Sequence, residues 1–210
     1  MTMRNGGRVN SRRSIRPLTL LVCVSVLGLT GCGDDAPERE YAIPQELCGV
    51  PVKAKLLGPL LPGGKKTLEK EHMGTEDTGG LSCDLVVDEH SAIGVFSTWE
   101  STTPEPTDAG GTGSLRNPSP PESPATLRGG SYIVGDRIAK AAVPCVNPKV
   151  RMPLPTPEGE KSRSGPAKGF TFAVQLFNGP EDTEESKKAL RRLMGPFSKA
   201  LVKKLPCRGA

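Results

Sequence analysis

Four cysteines spread through the chain constrain its fold more than any other feature: Cys48, Cys83, Cys145 and Cys207. No two are close in sequence and no C-x-x-C occurs, which argues against a zinc site. An even set of separated cysteines suits disulfide bridges, provided the chain folds in an oxidising compartment. Four cysteines allow three connectivities. The pairing Cys48–Cys83 with Cys145–Cys207 is favoured, because each bridge then joins a helical end to a strand. Each bridge would typically stabilise the fold by ~2–4 kcal/mol.

The compartment is read from the start of the chain. Arg4, Arg8, Arg12, Arg13 and Arg16 precede an apolar run from Leu18 to Leu29, with no acid among them. The run is too short to cross a bilayer as a helix and has the flanks of a signal peptide, residues 1–31. It ends in Leu29-Thr30-Gly31-Cys32, which resembles the lipobox of bacterial lipoproteins. That resemblance implies cleavage after Gly31, with Leu29, Thr30 and Gly31 as recognition residues and a diacylglyceryl group on the Cys32 thiol. Two or more acyl chains anchor stably where one is reversible, at ~0.8 kcal/mol per buried methylene. The implied location is the extracytoplasmic face of the cell membrane. Ser11-Arg12-Arg13-Ser14-Ile15 also resembles a twin-arginine export signal, and the export route stays open between the two pathways.

This cut changes the charge argument. The whole chain has 28 basic and 23 acidic residues. Removing the signal takes away five Arg and no acid, so the mature chain has a formal net charge of zero. Net charge therefore gives no support for nucleic acid or an anionic membrane as partner.

Residues 32–40 read as a polar tether and 41–207 as one domain. Gln45 to Cys48 suits a short turn of helix. Val52, Leu56, Leu57, Leu60 and Leu61 share a helical face over Val50–Leu61. Residues 81–99 alternate like a β-hairpin about a polar turn at Glu89-His90-Ser91. Ser101 to Gly130 holds six Pro and five Gly and predicts a disordered insertion. Tyr132–Val134 and Ile138–Cys145 form a second hairpin about Gly135-Asp136. A Pro- and charge-rich loop is expected over 146–168. Phe170, Phe172, Val174 and Leu176 then alternate as the cleanest strand. Leu190, Leu193, Met194, Phe197 and Leu201 mark a final helix, with a kink or break expected at Gly195-Pro196. The sum is an α+β fold: an antiparallel sheet of about five strands, two hairpins plus one strand, packed by an N-terminal helix and a kinked C-terminal helix.

Several short patterns support this outline. They are Ile43-Pro44-Gln45-Glu46-Leu47-Cys48-Gly49-Val50-Pro51-Val52, then Leu56-Leu57-Gly58-Pro59-Leu60-Leu61-Pro62-Gly63, the hairpin Cys83-Asp84-Leu85-Val86-Val87-Asp88, the strand end Val143-Pro144-Cys145 and a Cys after the last helix. With the lipobox they resemble actinobacterial (streptomycete-type) secreted lipoproteins of uncharacterised function. The resemblance rests on structural residues. It implies a fold and an address but no reaction.

Chemical motifs are sparse. Gly58 to Thr67 echoes a phosphate-binding loop, but an extra Gly64 breaks the spacing and the segment follows helical sequence, so a turn with a basic exit is expected. His72 and His90 sit among carboxylates without ligand spacing, and no metal or other cofactor is expected. There is no G-x-S-x-G, and bridged cysteines supply no nucleophile. Lys187, Lys188, Arg191, Arg192, Lys199, Lys203 and Lys204 on the last helix suit anionic lipid or wall polymer, yet net neutrality favours an ordinary solvated face. The Ser/Thr-rich stretch 101–126 would accept O-glycosylation by composition alone. The expected function is a membrane-anchored, non-enzymatic binding or interaction module. A carrier of a small or apolar ligand ranks second and an envelope hydrolase third.

Overall fold

The order of the strands decides what this chain can present at its surface. The computed structural model describes residues 38–73, 80–108, 118–121, 130–154, 156–157, 160–179 and 184–208. A two-residue hairpin opens it, β1 (Glu46–Leu47) with β2 (Val50–Pro51), followed by α1 (Ala54–Leu57) and a 3-10 turn at Gly58–Leu60. Strands β3 (Thr67–Met73), β4 (Leu81–Val87), β5 (His90–Glu100), β6 (Ser131–Val134), β7 (Ile138–Pro153) and β8 (Ser164–Leu176) follow, and α2 (Glu184–Lys204) comes last. The six later strands form one antiparallel sheet in the order β3-β4-β5-β8-β7-β6.

The expected α+β class is corrected by this layout. Strand makes up 45% of the structure and helix 22%, so the fold is β-rich, with a six-stranded sheet instead of about five strands. Three readings account for the difference. The leucine spacing over 50–61 gives only the four residues of α1 and a 3-10 turn, and Gln45–Cys48 forms no helix. Leu57, Leu60 and Leu61 are buried all the same, so their spacing records packing of a compact turn. The basic exit of the turn at Gly58–Thr67 leads directly into an unexpected strand, β3, at the edge of the sheet. Charged residues on an edge strand discourage pairing with other chains, and they hide the strand from a hydrophobicity pattern. Finally, the loop expected over 146–168 is mostly strand. β7 continues to Pro153, and β8 begins at Ser164, with Met152 opposite Gly165 and Pro153 opposite Ser164. The prolines fit because the register shifts between Pro144 and Asn147 and again between Asn147 and Arg151.

The core lies between the sheet and α2. Phe170, Phe172, Val174 and Leu176 point one way from β8 and are all buried, and Leu190, Leu193, Met194, Phe197 and Leu201 meet that side from α2. The Phe172 and Phe197 rings are 6.0 Å apart edge-on, and Trp99 meets Phe170 at 4.8 Å. Such pairs add to burial. α2 runs through Pro196 without the expected break. Pro196 and Arg192 are both exposed, so the proline sits on the solvent side of the helix, where a lost backbone hydrogen bond costs least.

The opposite face of β8 is also buried, at Thr171, Ala173 and Gln175. Part of its cover comes from the start of the segment expected as an insertion. Pro104 and Pro106 are buried, and Pro104 lies so close to Gly169 that a Cβ there would meet its Cδ at 2.1 Å. Thr171 donates to Glu100 at 3.1 Å. Further on, the Ser119 amide donates to the Val134 carbonyl at 2.8 Å, alongside edge strand β6. The rest of that segment, 109–117 and 122–129, lies outside the described residues.

Candidate functional site

The N-terminal segment meets the domain at a clamp around Arg39. Its guanidinium donates to the carbonyls of Gly58 at 3.0 Å, Leu61 at 2.5 Å and Pro62 at 3.5 Å, and stacks 5.5 Å over the Tyr41 ring. The Tyr41 hydroxyl donates to Pro62 as well, at 2.5 Å. The main chain adds Glu40 N–H to Gly64 at 2.8 Å and Gly64 N–H to Glu38 at 3.1 Å. Residues 38–40, read as the end of a tether, are therefore docked on the domain. Leu29, Thr30, Gly31 and Cys32, with the signal segment 1–31, lie outside the described residues.

Two disulfides staple the domain: Cys48–Cys83 and Cys145–Cys207. The second joins β7 to the chain just past α2, where the Arg208 amide also donates to Val146 at 2.9 Å. The first has a different setting from the one expected. Cys48 sits in the turn between β1 and β2, with φ 54°, followed by Gly49 at φ 65°. Two successive positive φ values are the signature of a type I′ hairpin turn, and glycine carries the second at no steric cost. The bridge thus ties a hairpin to β4 rather than a helix end to a strand. No described cysteine retains a thiol for nucleophilic chemistry.

The segment that echoes a phosphate-binding loop already holds an anion of its own. The main-chain amides of Lys65 and Lys66 donate to the Asp88 carboxylate at 2.9–3.1 Å. Asp88 and Glu89, with φ 46° and 72°, form the β4–β5 turn, and His90 opens β5. The amide of Lys65, then that of Lys66, holds the Asp88 carboxyl below its ordinary value of 3.8. Depression of a carboxyl pKa on folding gives stability that is present above the unfolded value and lost as pH falls through the folded one. Asn tolerates the same backbone conformation and lacks the charge. For Asp88→Asn, we expect thermal midpoints that lie below those of the parent at neutral pH and converge with them below about pH 4. A gap that stays constant from neutral pH to pH 2 would contradict the charge-based role.

His90 is exposed, with Nδ1 2.8 Å from the Asp88 carbonyl. Among the described residues, no three His, Cys, Asp or Glu side chains gather as a metal site would require. The His72 side chain lies outside the described residues.

A concavity of about 580 Å³ opens where β3 meets β4, lined by Lys66, Leu68, Lys70, Val86, Asp88 and Glu89. Leu68 and Val86 stand opposite each other in register. They lie on the face away from α2, since Leu85 and Val87, on either side of Val86, join the core that α2 covers. Sequence reasoning does not single out this place, because β3 is concealed by its charges. No described helix is long and apolar enough to cross a membrane. Compared with known proteins, the chain matches no family model, no curated protein and no solved structure.

Proposed function

We propose that this chain is an exported lipoprotein, held by acyl chains on Cys32 at the extracytoplasmic face of the cell membrane, whose β-rich head is a non-enzymatic interaction module. The observation that carries the reading is the order of parts at the start: arginines, a short apolar run, then Leu29-Thr30-Gly31-Cys32. The two bridges support it, since paired cysteines persist in oxidising compartments and are rare in the cytosol. The resemblance to streptomycete-type secreted lipoproteins belongs to the same proposal. No nucleic acid and no cofactor enters it.

A second reading, a carrier of a small or apolar ligand, has one observation in its favour. The β3–β4 concavity has an apolar floor and a volume within the range of small-molecule sites. It ranks second because its rim is charged. The space between sheet and α2, the better shelter, is filled by Phe172 packed on Phe197.

The lipid anchor is tested by growing cells with a labelled fatty acid. The protein is expected to carry the label, and Cys32→Ala to carry none. Equal labelling of the variant, or none of the parent, removes the anchor.

A further inference from the structure

Net neutrality conceals a segregation of charge. After Glu185 the chain contains no further acid. Within α2, Lys188, Arg191, Arg192, Lys199 and Lys203 are all exposed. At 100° per residue these five fall within about one third of the helix circumference, opposite the buried Leu190, Leu193, Phe197 and Leu201. Lys187 is set apart, about 100° from the middle of the stripe and nearly buried, 3.8 Å from Asp136, and Lys204 lies on the opposite side of the helix, where it donates to the Gly49 carbonyl. Arg191 also donates to the Ser119 hydroxyl. Only Glu184 and Glu185, in the first turn, offset this stripe from within the helix. α1, which packs against α2, brings exposed Lys55, and exposed Lys53 precedes it. By contrast, the β3–β4 side mixes Lys66 and Lys70 with Asp88 and Glu89.

The N-terminal segment enters beside the 3-10 turn at Gly58–Leu60 and pairs through Glu38 and Glu40 with Gly64. Arg39 is clamped to the 3-10 turn at Gly58–Leu60, and that turn packs against α2. From Glu38 back to Cys32 the chain spans at most about 20 Å even when fully extended.

We propose that the outer face of α2 docks on the anionic bilayer surface to which the chain is anchored, so that the head lies helix-side down and turns its β3–β4 face away from the lipid. The docking rests on the lipid-anchor reading. Each Lys or Arg brought to such a surface gains attraction that falls away within a Debye length, so several cations on one rigid helix act together. The anchor supplies the proximity, and the stripe supplies the orientation.

The test uses the full lipoprotein, extracted in detergent and reconstituted into two kinds of nanodisc. One is pure phosphatidylcholine and the other contains about a third phosphatidylglycerol. Lysine acetylation is then read residue by residue by mass spectrometry. The expected result is that Lys188, Lys199 and Lys203 react at least about threefold more slowly in the anionic discs, with recovery in ~0.5 M salt. Lys66 and Lys70 react alike in both. The triple variant Arg192→Glu, Lys199→Glu, Lys203→Glu still co-elutes with the discs but loses the protection at Lys188. Co-elution of the parent with equal reactivity in both discs overturns the docking and leaves the anchor standing. Failure to co-elute with either disc removes the anchor, and the docking with it. Protection found in native membranes but absent from anionic discs assigns the face to an envelope protein or wall polymer and also overturns the proposal.

Discussion

Replacing Phe172 by Ala is expected to lower the unfolding free energy by about 3–5 kcal/mol, the range for deleting a buried aromatic ring. Phe172 has no exposed surface and sits mid-sheet, flanked in register by Ser97 on β5 and Ala141 on β7. Its ring meets Phe197 of α2 at 6.0 Å and Phe170 at 6.3 Å. The cavity would open between the two layers, where the stiff sheet backbone cannot collapse to fill it. Small domains have only about 5–15 kcal/mol in total, so the variant should stand near its unfolding threshold. Leu68→Ala, at an edge position 51% exposed, provides the contrast, with a change within about 0.5 kcal/mol. Urea titration with the bridges intact reads both. A Phe172→Ala loss below about 1 kcal/mol would mean that α2 does not pack on β8 as described.

Removing the Cys145–Cys207 bridge by a double Cys→Ser replacement is expected to cost about 4 kcal/mol, and removing Cys48–Cys83 about half a kcal/mol less. The ordering follows from loop length, since the bridges close separations of 62 and 35 residues and the longer loop restricts the unfolded chain more. The longer bridge has a local duty too. It holds the chain beyond α2 against β7, beside the last buried turn at Leu201 and Val202. Cys48–Cys83 holds only the two-residue strands β1 and β2 against β4, so its loss should leave the six-stranded sheet in place. Thermal unfolding with and without each bridge gives the comparison. Equal midpoints for the parent and the Cys145→Ser, Cys207→Ser variant would contradict the stapling role.

How far the fold is legible depends on which residues carry the signal. The centre of β8 is readable because Phe170, Phe172, Val174 and Leu176 alternate toward a helix-covered face. The hairpin of β4 and β5 is readable for the same reason, although its turn falls at Asp88–Glu89, one residue ahead of the expected place. β3 is not, because an edge strand with Lys and Glu lacks the alternation that burial imposes. The extensions of β7 and β8 are masked by Pro144, Pro148, Pro153 and Pro166, which argue for a loop until bulges absorb them. The leucines at 56, 57, 60 and 61 mislead in the other direction, giving helical spacing to a compact turn. Of the candidate sites, the cysteine pairs are legible from count and position. The hold of Lys65 and Lys66 amides on Asp88 is not, since it joins residues brought together only by the β3–β4 pairing. The cationic stripe on α2 is visible in the sequence but is discounted there, because a neutral total says nothing about how charge is distributed over the fold.

The most direct measurement is mass spectrometry of the unreduced protein recovered from membranes of the cells that make it. The expected species begins at Cys32, carries the mass of a diacylglyceryl-modified terminus, and gives on digestion two linked peptides, one joining Cys48 to Cys83 and the other Cys145 to Cys207. A chain beginning at Met1, without lipid and with those four cysteines as free thiols, would contradict export, anchor and staples together.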